Sequence, residues 1–166
     1  LMASYTDKGA DGVEQLRTFA NVVLNDATVP SINYDVAENA TKMKITEQMV
    51  PGLEEPFDIV ILNDEAMLEY DEIDLTGIST VVMAASAPAM FASGGSFDIY
   101  LDDTSGDPIF TGDIKTTMQM TGVETFAIPL AGQSGKHKLI AKYKSKNEGS
   151  PVGTLMSWTF VPAAAL

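Results

Sequence analysis

The sequence predicts an all-β fold, a two-sheet antiparallel sandwich of the jelly-roll kind. Three observations carry that expectation. Short runs alternate apolar and polar residues with a period of two, as half-buried strands do. Glycine and proline punctuate the chain about every ten to fifteen residues, the spacing of turns between short strands. No stretch carries the clean apolar stripe of an amphipathic helix.

Taken in order, Asp11 to Asn21 and Asp35 to Met49 are the two stretches with enough polar and alanine content to hold a helix, and both lack the stripe. Thr80 to Ala87 is continuously small or apolar, which predicts a strand buried on both faces. Phe97, Ile99 and Leu101 alternate with Asp98, Tyr100 and Asp102. Asp103-Thr104-Ser105-Gly106-Asp107-Pro108 then has the composition of a hairpin loop. Gly132-Gln133-Ser134-Gly135 separates strands in the same manner. After it, Leu139, Ala141 and Tyr143 alternate with Lys138, Lys142 and Lys144, Ile140 being the exception. In the last strand Met156, Trp158 and Phe160 share one parity, which predicts a core position for the sole tryptophan. Sequences of many short strands and regular turns build sandwiches and jelly rolls.

With 166 residues, 45% of them hydrophobic, the chain is long enough for one domain with a proper core. A net charge of −13 argues against nucleic acid, whose binding draws on clustered Lys and Arg to release condensed counterions. No apolar run reaches the roughly 18 residues of a membrane-inserted helix. Cysteine is absent, so disulfides and thiolate metal sites are excluded. Charge is uneven: Asp35 to Leu75 holds twelve acids and two lysines, a net of −10, whereas Lys136 to Lys146 holds five lysines and no acid. Such a split serves either solubility or docking on a neighbouring domain. The opening residues show no secretory leader, so export is expected to be directed from elsewhere on a parent protein. Leu1-Met2 and residues 162–166, with the run Ala163-Ala164-Ala165-Leu166, read as cloning remnants around an excised domain.

Candidate chemistry is sparse. His137 is the only histidine, with neither a second histidine nor a cysteine to form a zinc site or a catalytic pair. Gly94-Gly95 lacks the Lys-Ser/Thr that completes a phosphate loop. The aspartates from Asp102 to Asp107 lack the order of a calcium-binding loop. These residues indicate no reaction, and the chain is expected not to be an enzyme.

Three stretches resemble known bacterial sequences. Ser4-Tyr5-Thr6-Asp7-Lys8-Gly9-Ala10-Asp11-Gly12, followed by Val22 to Thr28, resembles a junction found before C-terminal modules of large secreted proteins with sugar-dehydrogenase-like, trehalose-utilisation-type or c-type cytochrome parents. Glu69-Tyr70-Asp71-Glu72-Ile73-Asp74-Leu75-Thr76-Gly77-Ile78 resembles a strand and turn of the same module. Pro129 to Leu139 and Ser157-Trp158-Thr159-Phe160 resemble the closing strands of family 6 carbohydrate-binding modules.

The resemblance implies a junction with first strands over residues 3–28, packed on a jelly-roll module over 29–161. It implies a non-catalytic accessory role in a larger extracellular or periplasmic enzyme, binding a glycan at a loop edge, often beside a structural calcium. The family's two clamp aromatics fall near Ile61 and Phe126, its sugar-binding asparagine at Leu155, and its first-strand calcium acid near Ser31-Ile32. No cofactor is expected, and a calcium has no support from Ser31-Ile32. Phe126, Tyr100 and Tyr70 are the residues expected to contact a ligand, Phe126 alone on motif grounds. The alternative is a structural module that docks on its parent's catalytic or cytochrome domain without binding sugar.

Overall fold

The computed structural model describes residues 2–6, 17–21, 27–119, 122–130 and 132–163. Among them there are eleven strands and no helix. β1 (Met2–Thr6) and β2 (Arg17–Asn21) form a separate two-stranded sheet. The others are β3 (Thr28–Pro30), β4 (Val36–Ile45), β5 (Phe57–Asp74), β6 (Ile78–Ser86), β7 (Gly95–Leu101), β8 (Phe110–Ile114), β9 (Glu124–Pro129), β10 (Lys136–Ser145) and β11 (Gly153–Pro162). Most of the junction stretch lies outside the described residues, as does the first half of the Asp11 to Asn21 candidate helix, whose second half is β2.

The nine remaining strands form one antiparallel ladder in the order β8-β7-β10-β5-β11-β6-β9, with β4 on β5 and β3 on β11. β5 turns this ladder into a sandwich. At 18 residues it is far longer than an ordinary strand. Its first half (Val60 to Leu62) pairs with β11, and its second half (Met67 to Asp74) pairs with β10. Between the halves, β4 and β5 fall out of register, and Asn39 and Glu65 take positive φ angles of 50° and 56°. Extra residues in a ladder bend the strand that holds them. Asn39 Nδ2 donates to the Glu65 carbonyl at 3.3 Å across this corner.

Side chains from both ends of the ladder meet inside. Phe97 of β7 lies edge-on to Phe126 of β9 at 4.9 Å between ring centroids. The Tyr143 hydroxyl of β10 lies 3.6 Å from Met83 Sδ of β6. Leu62, Leu68, Tyr70, Ile99, Ile128, Leu155 and Trp158 complete a core from which water is excluded. At roughly 1.5–3 kcal/mol for each large apolar side chain buried, this core dominates the stability of the fold.

Several expectations change in detail. Asp35 to Met49 is no helix: Val36 to Ile45 is strand β4, held by nine register partners on β5. Thr80 to Ala87 is not buried on both faces along its length. Val81, Met83 and Ala85 are fully buried, while Thr80, Val82 and Ala84 keep partial exposure, because nothing packs over the outer face of β6 as completely as the core does. The Asp103 to Pro108 loop does close the β7–β8 hairpin. The Gly132 to Gly135 loop instead crosses between sheets, from β9 on β6 to β10 on β7 and β5. In β11 a bulge between Leu155 and Ser157 reverses the parity, so Leu155 and Trp158 both face inward and Met156 does not share their side.

Candidate functional site: a polar trough across one sheet

The three aromatic candidates lie in three different environments. Tyr70 is only 2% exposed. Its ring stands edge-on to Trp158 at 5.8 Å, its hydroxyl donates to the Ser31 carbonyl at 2.6 Å, and burial pushes its phenol pKa up. A ring so enclosed has no face to offer a ligand, so Tyr70 is a core residue. Phe126 points inward with Ile128, opposite Met83, and is half-buried against Phe97 at the rim of the sandwich. Tyr100 lies on the outer face of β7 with Ser96 and Asp98, and Lys142 Nζ sits 5.6 Å from its ring centroid.

The positions that correspond to the family's sugar site are equally dispersed. Leu155 is fully buried, between Val60 and Ala85. Ile61 lies on the outer face of the other sheet, in an apolar cleft of about 500 Å3 with Met43, Ile45, Met49, Phe91 and Pro151. Ser31 is fully buried and each of its polar groups is bound within the protein. Its Oγ donates to the Leu155 carbonyl at 2.7 Å, its N–H to the Met156 carbonyl at 3.0 Å, and its own carbonyl accepts from Tyr70. No carboxylate is present there, so these residues do not fit a calcium ion, and no described group of three or more His, Asp or Glu could hold a metal.

His137 is less free than a surface histidine. Nδ1 lies 2.9 Å from Asp102 Oδ2 and Nε2 lies 3.1 Å from the Ser134 carbonyl. Both partners accept, so the ring is bound best when both nitrogens carry protons. The Asp102 hydrogen bond accordingly raises its pKa above 6.5. An imidazole held this way has no open nitrogen to act as a base.

A polar concavity runs across the outer face of the β8-β7-β10-β5-β4 sheet. Two hollows of about 560 and 330 Å3 share Ser96 and Lys144 and so form one trough. Register explains its composition. Ser96 pairs with Lys144 and Asp113, Asp98 with Lys142 and Thr111, and Lys142 with Met67. Outward parity on three neighbouring strands thus aligns hydroxyl, ammonium and carboxylate groups in rows, with Tyr100 on the same face one step beyond Asp98. Rows of donors and acceptors, with Ala66, Met67, Phe97, Tyr143 and Ile114 in the floor, suit a polyhydroxylated ligand lying flat on the sheet. Alternation in the sequence marks these residues as outward-facing, but it cannot show that strands distant in sequence are neighbours.

No protein-family model matches the sequence, and no curated protein matches it. Solved structures do. A family 6 carbohydrate-binding module from Clostridium cellulolyticum, in complex with xylose, is 18% identical with a TM-score of 0.63, over 82% of this chain and 98% of that one. A β-1,3-glucan-binding family 6 module from Bacillus halodurans is 13% identical with a TM-score of 0.63, over 81% and 94%. A family 43 arabinoxylan arabinofuranohydrolase from Bacillus subtilis, in complex with cellotetraose, is 16% identical with a TM-score of 0.62. That match covers 95% of this chain and 33% of the larger enzyme. Shared architecture at this level of identity is a statement about backbone, and the chain therefore has the β-sandwich fold of family 6 carbohydrate-binding modules.

Proposed function

We propose that this chain is a non-catalytic accessory module of carbohydrate-binding type, carried by a larger extracellular or periplasmic enzyme, and that its glycan lies along the polar trough. The trough is the observation that carries the reading. The fold supports it, as does the match to part of a larger glycoside hydrolase. The junction resemblance supports a parent with a sugar-dehydrogenase-like, trehalose-utilisation-type or cytochrome domain. The loop edge is a poor place for sugar here: its stacking and hydrogen-bonding positions are Ile61, a half-buried Phe126 and a fully buried Leu155.

Titration calorimetry with xylo-, cello- and laminari-oligosaccharides tests the proposal. Tyr100→Ala and Asp98→Asn are expected to weaken binding by about tenfold each, roughly 1.4 kcal/mol, and Phe126→Ala to leave it unchanged. Binding abolished by Phe126→Ala and indifferent to Tyr100→Ala would return the site to the loop edge. No binding to any of these oligosaccharides, nor to an acidic oligosaccharide titrated alongside them, would favour the docking alternative.

A further inference from the structure

We infer that the β8–β10 end of the trough receives an anionic group, so that the glycan it holds is an acidic saccharide bearing a carboxylate or a sulfate ester. The inference rests on the proposed glycan-binding reading and narrows it to one substrate class.

Three of the nine lysines in a chain of net charge −13 line the larger hollow: Lys115, Lys144 and Lys146. Four lysines elsewhere are engaged, whereas Lys44 has no ion pair among the described residues and Lys8 lies outside them. Lys136 pairs with Glu72, and Lys138 with Glu69 at 2.8 Å and Asp71 at 3.3 Å. Lys42 and Lys142 sit over the rings of Tyr34 and Tyr100. By contrast, Lys115 and Lys146 form no salt bridge among the described residues, and Lys144 reaches Glu65 only at 3.9 Å, with both side chains more than 70% exposed. An exposed pair at that distance is weak and readily exchanged for a better anion.

Backbone pairing brings the three together. Gly95, the first residue of β7, pairs with Ile114 on one side and Ser145 on the other. Lys115 and Lys146 are the next residues along those two strands, so they flank the start of β7 from both sides. With strands about 4.8 Å apart, the two backbones stand roughly 10 Å from each other, within reach of one group held between long side chains. Lys144, opposite Ser96, supplies the third ammonium. Lys146 N–H donates to the Gly94 carbonyl at 3.0 Å, which anchors that lysine at the rim.

Two nearby carboxylates, Asp64 and Glu124, lie outside the lining of the larger hollow and are held by backbone groups. Both oxygens of Asp64 accept backbone N–H groups, from Ser145 at 2.9 Å and Gly149 at 3.0 Å, and Glu124 accepts from Lys115 N–H at 2.9 Å. Asp113 is the single acid lining the hollow, and it is exposed on β8. An acidic chain repels polyanions in general, so a local excess of cations confers selectivity for an acidic sugar presented in the trough's register.

The test measures binding of oligogalacturonate, a sulfated galactan oligosaccharide, a neutral xylo-oligosaccharide of equal length and inorganic sulfate, at low and high salt. The Lys115→Gln/Lys144→Gln/Lys146→Gln variant is measured alongside, its fold checked by circular dichroism. At least one acidic oligosaccharide is expected to bind about tenfold or more tighter than the neutral one at low salt. That preference should vanish in the variant and shrink at high salt, where exposed charges are screened. The stronger of the two acidic ligands identifies the anion. A neutral ligand that binds as well as the acidic ones, with no effect of the variant, would overturn this inference and leave the proposed function standing. Inorganic sulfate binding as tightly as either oligosaccharide would overturn it too, by reducing the site to a general anion trap. No saccharide binding at all would remove both readings together.

Discussion

Tyr70→Phe separates a core role from a ligand role at one residue. The ring stays in place against Trp158, and only the hydroxyl that donates to the Ser31 carbonyl at 2.6 Å is lost. Ser31 carries three hydrogen bonds that tie the β3–β4 connection to β5 and β11, so its carbonyl would be left buried without its donor. Leaving a buried acceptor unpaired costs about 1–3 kcal/mol. For a chain of this size each kcal/mol shifts the melting temperature by about 2–4 °C, which predicts a fall of roughly 2–12 °C. Differential scanning calorimetry reads that shift, and saccharide titration of the folded variant should read unchanged affinity. A melting temperature within a degree of the parent chain, or a stable variant that no longer binds, would refute the assignment of Tyr70 to the core network.

The other predictions concern pH and packing. His137 has a raised folded pKa, so its contribution is fully present below about pH 6.5 and is lost as pH rises through the folded value. The melting temperature should therefore decline as pH rises above about 6.5, and His137→Ala should flatten that decline. Burial raises the pKa of both Tyr70 and Tyr143, so their contribution is present below pH 10 and lost above it as the unfolded chain ionises. Phenolate absorbance from these residues should appear together with unfolding, and its appearance in the folded state would contradict their burial. Gly112→Ala places a Cβ 2.6 Å from the Phe97 ring, in the stack with Phe110. Overpacking there should destabilise the chain by about 1–3 kcal/mol in urea denaturation.

Much of the fold is legible in the sequence because period-two alternation survives wherever a strand has one wet face. Phe97 and Ile99, and Leu139, Ala141 and Tyr143, point where their parity says. The failures have physical causes. β4 carries Glu38, Lys42 and Lys44 and lies on one side of β5 only, so its strand character comes from pairing and not from burial. The β11 bulge is a matter of one extra residue, and no residue type announces it. Tyr70 was recoverable: Leu68 and Tyr70 alternate with Glu69 and Asp71, which already assigns the tyrosine to the inner face. The trough was not, because Lys115 and Lys144 meet only through the register of β8, β7 and β10.

The bent strand has a consequence for the order in which the molecule can be made. β5 finds its near partner β4 early, but its other neighbours, β10 and β11, are the last strands of the chain. β11 alone joins β3, β5 and β6, whose residues precede it by about seventy to a hundred and thirty positions. Contacts so far apart in sequence slow folding, to milliseconds or seconds in β-sandwiches. A chain emerging from its N-terminus therefore carries open strand edges until Gly153–Pro162 has been synthesised, and a truncation before Gly153 removes the shared partner of three strands at once. Closure of the sandwich is therefore a late event, governed by Gly153–Pro162.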